Sequence, residues 1–199
     1  MPRNDDVTGR SARSIPELET DRLVLRPFEL TDAPAVQALA GARSIADVTL
    51  NVPHPYEDGM AEDWIAMHVP GFELGVLLPL AITLRGTAEL AGAISLKIDP
   101  ESNRAELGYW LGEPYWGRGY CSEAALAVLR YGFDELKLNR IHASHFARNP
   151  ASGRVLQKIG MQHEGIARAH VRKWDGYEDL VLYGLLRDEW RQGCVYPSR

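Results

Sequence analysis

The chain has 199 residues, of which 45% are hydrophobic and 25% are charged. This length allows one sizeable hydrophobic core and leaves little room for a second. The net charge of -5 argues against a protein that binds nucleic acid through a basic surface. No apolar run approaches the length of a membrane span or a signal peptide, and Cys121 and Cys194 lack the spacing of a metal site or disulfide framework. We therefore expect a cytoplasmic protein without a bound metal.

The N-terminal part of the chain is predicted to contain a tail, one strand and two helices. Residues 1–16 are polar and have no periodic pattern, so we expect a flexible tail. Alternating apolar residues predict a strand over residues 19–28. Thr31 is the expected N-cap of a helix that ends near Ala40. A second helix is predicted for residues 57–67.

The remainder of the chain is predicted to be rich in strands. Apolar residues spaced three or four apart indicate a helix over residues 121–136. Asn149 and Pro150 begin another helix, which Gly160 ends. The Asp175-Gly176 pair is typical of a hairpin turn. The predicted strands cover residues 80–84, 90–98, 104–111, 140–146, 163–174 and 180–186.

This order of elements predicts the fold class. A strand, two helices, a meander of three strands, a helix, a strand, a helix and a hairpin do not alternate as in a doubly wound sheet. We therefore expect one α+β (mixed α/β) domain over residues 17–190. Residues 191–199 are expected to form a C-terminal tail.

A glycine-containing loop separates the predicted strand that ends at Leu111 from the helix that follows. The first-turn amides of a helix have no partners within it, so with loop amides they form a cradle for phosphate. Gly117 and Gly119 allow the backbone to approach an anion closely. Arg118 adds charge-assisted hydrogen bonds, and the small Cys121 leaves the cradle open. The alternative is a turn that only joins strand to helix, which a lone Gly-x-Gly pattern does not exclude.

Two common phosphate motifs are absent from this loop. A P-loop ends in Gly-Lys-Ser/Thr, which the chain lacks here. A dinucleotide fingerprint has an acidic residue at the end of the next strand, whereas that strand ends His145-Phe146-Ala147-Arg148. A nucleotide-dependent oxidoreductase is therefore not favoured.

The loop and three further stretches resemble the GNAT acetyltransferase superfamily, in its RimJ/RimL-like branch. The family's coenzyme A loop reads Gln/Arg-x-x-Gly-x-Gly/Ala, and Trp116 and Cys121 depart from it at the first and last positions. Trp-Gly-x-Gly-Tyr followed by a small residue is usual in this branch. The match covers roughly Leu18 to Leu186. The other matching stretches are residues 19–27, residues 106–111, and residues 149–152 followed by 158–161.

The resemblance implies a central, mostly antiparallel sheet of about seven strands, flanked by about four helices. The sheet is splayed between the family's strands four and five, and acetyl-coenzyme A, the co-substrate, lies in the wedge. We expect the strands to separate after about Trp110. The residues that the resemblance assigns to the cofactor are Tyr109, Trp110, Leu111, Trp116, Gly117, Arg118, Gly119, Tyr120, Cys121, Ser122, Asn149 and Ser152.

A thioester is already activated, so no protein nucleophile is required, and we expect direct attack by an amine without an acetyl-enzyme. Many superfamily members place a tyrosine near the sulfur, but Leu156 occupies that position here. Ser152, at the start of the same helix, is the expected catalytic substitute, because its hydroxyl can hydrogen-bond the departing thiolate. The alternative is that Ser152 only caps or packs. Cys121 is expected to be a loop residue rather than a nucleophile.

The general base is less well defined. Glu106 is the candidate, acting through water, and the alternative is an exposed strand carboxylate. Glu164 and His170 are weaker candidates. Val171 stands about where some relatives carry a glutamate, so the base stays open.

We therefore expect an N-acetyltransferase that uses acetyl-coenzyme A and a primary amine, either a protein N-terminus or a small molecule. The expected partners include no nucleic acid and no membrane, and the protein is expected to be a monomer or homodimer. Acceptor choice is expected to lie in the loops of residues 43–76 and 172–178. Two alternatives are an enzyme that uses a longer acyl-coenzyme A and a non-catalytic acyl-coenzyme A sensor or scaffold.

Overall fold

The computed structural model describes residues 14–193. Residues 1–13 and 194–199, with most of both predicted tails and Cys194, lie outside the described residues. One eight-stranded sheet is present, with the strand order β1-β2-β3-β4-β5-β6-β8-β7. The strands are β1 Leu18–Glu19, β2 Leu23–Arg26, β3 Leu77–Leu84, β4 Leu90–Asp99, β5 Arg104–Leu111, β6 Arg140–Phe146, β7 Gln162–Lys173 and β8 Gly176–Leu186.

Helices cover both faces of the sheet. A 3-10 turn over Leu30–Asp32 precedes the first helix, and a π-helical segment over Tyr131–Glu135 extends the fifth. Within residues 14–193, no helix is both long enough and apolar enough to span a bilayer. The helices are α1 Ala33–Ala40, α2 Arg43–Val48, α3 Met60–Ala66, α4 His68–Glu73, α5 Tyr120–Arg130, α6 Pro150–Lys158 and α7 Arg187–Arg191.

The structure confirms the predicted fold class. Every neighbouring pair of strands is antiparallel except β5 and β6, which are parallel. The sheet has eight strands rather than about seven, because Leu18–Glu19 pairs with β2 as a separate short strand. The family's strands four and five therefore correspond to β5 and β6. Short helices such as α2 and α4 bring the helix number above the expected four.

The expected N-cap of α1 is wrong. The Thr31 hydroxyl donates to the Glu29 carboxylate at 3.2 Å, and α1 begins two residues later, at Ala33. Asp32 organises this turn instead, because its carboxylate accepts from the Glu29 amide at 2.9 Å and pairs with Arg26 at 2.7 Å. The ion pair with β2 sets the start of the helix.

Two hydrophobic clusters separate the faces of the sheet. The larger joins Leu107 of β5 to α5 and α6, where Leu129 and Leu156 are fully buried. The smaller joins α1 and α3 and receives Trp110 of β5. Because side chains alternate along a strand, Leu107 and Trp110 face opposite clusters. One face of β5 therefore packs against α5 and α6, and the other packs against α1 and α3.

The sheet divides between β5 and β6. Their parallel ladder contains three residue pairs and ends at Glu106 and His142. Beyond that point β5 continues with β4 as far as Leu111, and β6 continues with β8 as far as Phe146. The predicted splay is confirmed, but the strands separate after Glu106, not after Trp110, because each strand follows its other neighbour. The facing edges of residues 107–111 and 143–146 form a wedge.

Candidate functional site

The glycine loop leads into α5 with an open backbone. Gly117 has φ +72° and Gly119 has φ +80°, a left-handed conformation that glycine adopts without strain. A Cβ at Gly117 would meet nothing within 4 Å, and one at Gly119 would meet only the Arg22 guanidinium, at 3.5 Å. Among the described residues, no side chain caps α5, whose first bond runs from the Glu123 amide to the Gly119 carbonyl. Amides before Glu123 are therefore available to an anion.

Other residues of the loop hold it against the sheet. The Trp116 indole nitrogen donates to the Leu111 carbonyl at 2.6 Å, although 47% of the Trp116 surface stays exposed. Tyr120 packs under the Arg22 guanidinium, 4.7 Å from the ring centroid. Ser122 is buried in the first turn of α5. These contacts connect the loop to the end of β5 and the start of β2.

Cys121 lies in an apolar environment at the start of α5. It packs against the larger cluster, and burial raises the pKa of its thiol to about 12. The thiolate is the nucleophilic form of cysteine. At neutral pH this cysteine is therefore a poor nucleophile, although it lies in the first turn of α5 and not in the loop as expected.

A pair of hydroxyl groups lies beside the wedge. Asn149 caps α6 by accepting from the Ser152 amide at 3.3 Å, so Ser152 is in the first turn. The Ser152 Oγ lies 2.8 Å from the Tyr109 Oη. Burial raises the pKa of Tyr109 above its usual range, with a smaller contribution from Cys121. The phenol therefore keeps its proton at neutral pH, and either hydroxyl can donate in this pair. When the phenol donates, the Ser152 proton is free for another acceptor.

The Tyr109 side chain was not predicted to have a catalytic role, since Tyr109 was assigned only to cofactor binding. Tyr109 belongs to the part of β5 that no longer pairs with β6, so its hydroxyl stands at the wedge. Leu156 is fully buried in the larger cluster, one turn beyond Ser152 on α6. The strand thus supplies a phenol near the helix that lacks the family's usual tyrosine. Local sequence signals do not show this pairing, because 43 residues separate Tyr109 from Ser152.

Glu106 lies at the vertex of the wedge. It is exposed and is the last β5 residue in the ladder, opposite His142. Its odd spacing from Tyr109 places the two side chains on opposite faces of β5. Burial lowers the pKa of His142, and the Glu106 charge opposes that shift. A cleft beside this pair is also lined by Lys97, Asp99 and Arg104.

The weaker candidates for the base have other surroundings. Glu164 forms an ion pair with Arg140, and hydrogen bonds from Arg140 lower the pKa of the Glu164 carboxyl. His170 is exposed on β7, where the pairing with β8 is irregular. Within residues 14–193, no group of three or more His, Cys, Asp or Glu side chains is arranged to hold a metal ion.

Comparisons with known proteins identify the family of this chain. Residues 22–162 match the family model described as an acetyltransferase (GNAT) domain. An uncharacterized N-acetyltransferase, p20 of Bacillus licheniformis, is 35% identical over 177 residues, which cover 87% of this chain and 97% of that protein. The ribosomal-protein-serine acetyltransferase of Escherichia coli K12 is 34% identical over 101 residues, covering 50% of this chain and 56% of its own.

A solved structure extends the likeness to the fold. RimL, a ribosomal L7/L12 α-N-protein acetyltransferase in complex with coenzyme A, superposes with a TM-score of 0.77 over 86% of this chain and 98% of its own. Its sequence identity is 20%, so this comparison shows the fold alone. The likeness to the ribosomal-protein-serine acetyltransferase supports the RimJ/RimL-like branch. Since the family model spans well over half of the chain and p20 matches along almost its whole length, the chain belongs to the GNAT acetyltransferase superfamily.

Proposed function

We propose that the protein transfers the acetyl group of acetyl-coenzyme A to a primary amine, either a protein N-terminus or a small molecule. The wedge between β5 and β6 carries this proposal, because it places the Tyr109–Ser152 pair beside an unpaired strand edge. RimL is named for acetylating an N-terminus and was solved with coenzyme A. The complex supports acetyl-coenzyme A as the acetyl donor of this chain, and the name makes an N-terminal amine the first acceptor to test.

The chain's groups fit coenzyme A. The pyrophosphate binds the amides of residues 118–122. Gly117 and Gly119 adopt positive φ values and have no side chains that would fill the cradle. The pantetheine arm follows the free edge of residues 109–111 as an added strand would. The Leu111 carbonyl already accepts from Trp116, so it keeps one lone pair for the arm. The thioester then lies close to Ser152, with Asn149 beside it at the helix cap.

The reaction is a direct transfer. The neutral amine nitrogen attacks the thioester carbonyl carbon, a carbon–nitrogen bond forms, and the carbon–sulfur bond breaks as thiolate leaves. Ser152 donates a hydrogen bond to the sulfur, and Tyr109 holds Ser152 in the orientation that permits this. The proton lost from nitrogen passes through water to Glu106. The raised pKa of Cys121 argues against an acetyl-enzyme at that thiol.

The positions of the acid and base are compatible with this order of events. Ser152 and Tyr109 approach from the α5–α6 face of β5, while Glu106 lies on the α1–α3 face. A substrate in the gap therefore meets a hydrogen-bond donor from one face and a carboxylate from the other. The Ser152 hydroxyl does not donate to the Glu106 carboxylate, because β5 lies between them.

Glu106→Gln is expected to lower kcat/KM at neutral pH by roughly 100-fold, within the usual range for losing a general base. The amide is nearly isosteric but does not accept a proton. The loss is expected to shrink as pH rises, because hydroxide then increasingly takes the proton that Glu106 accepts in the parent. Initial rates measured across pH check this. A deficit that is constant at all pH values would assign Glu106 a purely structural role.

The function itself is tested by incubating purified protein with acetyl-coenzyme A and a panel of amines, with free thiol as the readout. The panel contains peptides with different N-termini, a polyamine, an aminoglycoside and free amino acids, and mass spectrometry identifies the acetylated product. Reactions without protein and without amine are the controls. Thiol release that depends on one amine supports the proposal. Faster release from a longer acyl-coenzyme A would identify that molecule, and not acetyl-coenzyme A, as the preferred donor.

Binding without turnover would instead indicate a sensor or scaffold. Calorimetry with coenzyme A separates this case from a failed assay. A parent protein that binds neither coenzyme A nor acetyl-coenzyme A contradicts the proposed function as a whole.

A further inference from the structure

We propose that Arg22, which precedes β2, positions the coenzyme A loop and cancels the negative charge of Glu123 beside the phosphates. This inference rests on the proposed function, since it concerns the phosphate end of the same site. It adds a residue that lies almost 100 positions before the loop and outside its motif. Arg22 is a positioning residue, because it acts through the loop and through Glu123.

The contacts of Arg22 converge on the loop. Its Nε donates to the Glu123 Oε2 at 2.7 Å, and its Nη2 lies 2.6 Å from the same oxygen. Its Nη1 donates to the Arg118 carbonyl at 2.9 Å, and its plane covers the Tyr120 ring. A Cβ added at Gly119 would lie 3.5 Å from the same guanidinium. One side chain thus contacts two residues of the segment expected to carry the pyrophosphate, Arg118 and Tyr120, and the adjacent Glu123.

The negative charge of Glu123 explains why a cation is needed beside the start of α5. It lies in the first turn of α5, and hydrogen bonds from Thr20 and from Arg22 lower the pKa of its carboxyl although burial opposes them. Thr20 Oγ1 donates to it at 2.6 Å and the Arg22 amide at 2.9 Å. The carboxylate is therefore charged at neutral pH. Alone it would repel a pyrophosphate bound at the same helix end.

The chemistry suits arginine rather than lysine. A planar guanidinium reaches a carboxylate and a carbonyl in two directions while it stacks on an aromatic ring. An ammonium is a point charge and does not make this fork. The bond to the Arg118 carbonyl also holds the peptide unit between Arg118 and Gly119, whose amide is one of those offered to the anion.

The experiment compares Arg22→Gln, Glu123→Gln and the double variant by calorimetry with coenzyme A. Arg22→Gln is expected to weaken binding about tenfold or more, because it leaves an uncompensated carboxylate near the phosphates. Glu123→Gln is expected to stay within about fivefold of the parent, since it removes a partly exposed pair and its repulsion together. The double variant is expected to recover most of the affinity lost by Arg22→Gln.

Salt provides a second readout that a structural role would not change. The ratio of parent to Arg22→Gln affinity is expected to fall as salt rises, since the Debye length falls from about 10 Å at 0.1 M to about 3 Å at 1 M. Arg104→Gln is the matched control, because Arg104 pairs with Asp99 at similar exposure but at the opposite end of β5. Its coenzyme A affinity is expected to equal that of the parent. Melting temperatures verify that each variant is folded.

Three results would overturn this inference while leaving the proposed function intact. If Arg22→Gln binds coenzyme A as tightly as a parent that binds it, Arg22 has no part in binding. If the double variant binds as weakly as Arg22→Gln, charge cancellation is wrong. If Glu123→Gln loses as much affinity as Arg22→Gln, the ion pair only holds the loop in its conformation and cancels no repulsion. A parent that does not bind coenzyme A instead contradicts the proposed function.

Discussion

Gly119→Val is expected to weaken coenzyme A binding at least 100-fold, because it combines backbone strain with direct obstruction of the cradle. Gly119 has φ +80°, which a β-branched residue adopts only at a substantial cost. The space where its Cβ would stand is open apart from Arg22, and the valine methyl groups would occupy the place of phosphate oxygens. Calorimetry with coenzyme A measures the loss.

Gly75→Val is the matched control for this substitution. Gly75 has φ +73°, a Cβ there would meet nothing within 4 Å, and it lies in the turn between α4 and β3. The control is expected to share the backbone strain and to keep its coenzyme A affinity. If Gly119→Val binds coenzyme A as the parent does, the loop is not part of the site. If both variants lose binding equally, strain alone explains the effect.

Ser152→Ala is expected to lower kcat on the order of 100-fold while the affinity for coenzyme A changes little. The hydroxyl is needed when negative charge develops on the sulfur, whereas ground-state binding depends on the loop and the strand edge. Rates of thiol release at saturating acetyl-coenzyme A, together with calorimetry, separate the two quantities. Turnover equal to that of the parent would show that Ser152 does not assist the thiolate.

Two companion variants identify how Ser152 acts. Tyr109→Phe removes the 2.8 Å hydrogen bond to Ser152 and is expected to lower kcat roughly tenfold. In the double variant the losses are expected not to add, because Tyr109 acts through Ser152. Additive losses would instead indicate that the phenol acts independently of Ser152.

Cys121→Ala is the control that keeps the hydroxyl pair and removes the buried thiol. It is expected to stay active, because burial keeps this thiol protonated at neutral pH. A variant that binds coenzyme A but does not turn over would contradict direct transfer. Mass spectrometry that finds acetyl on Cys121 as a competent intermediate would do the same.

The sequence by itself determined the elements whose signals are local. The spacing of apolar residues predicted the helix after the glycine loop, and its buried face contains Leu129 and Phe133. Asn149 and Pro150 predicted the start of α6, and the Asn149 side chain accepts from an amide only three residues away. Gly117 and Gly119 were identified because a loop that approaches an anion requires backbone without side chains. Each of these features depends on neighbours within about one helical turn.

Short elements without a strong periodic pattern were missed. The helix α2 over Arg43–Val48 is held by distant contacts, since the Trp174 indole donates to the Asp47 carboxylate at 3.0 Å and Arg148 donates to the Asp47 carbonyl at 2.6 Å. A six-residue helix is too short to be stable alone, so its formation depends on those partners. The local sequence therefore contains little information about it.

Only the tertiary structure decided which functional groups meet. Arg22 reaches Glu123 across 101 residues, and Tyr109 reaches Ser152 across 43. Both contacts form because the sheet brings β2 beside β3 and sets α5 and α6 on one face of it. The point where β5 and β6 separate is also a tertiary property, because it depends on the competing ladders with β4 and β8. Residue types and spacing identify the chemistry, whereas the packing of distant elements determines its geometry.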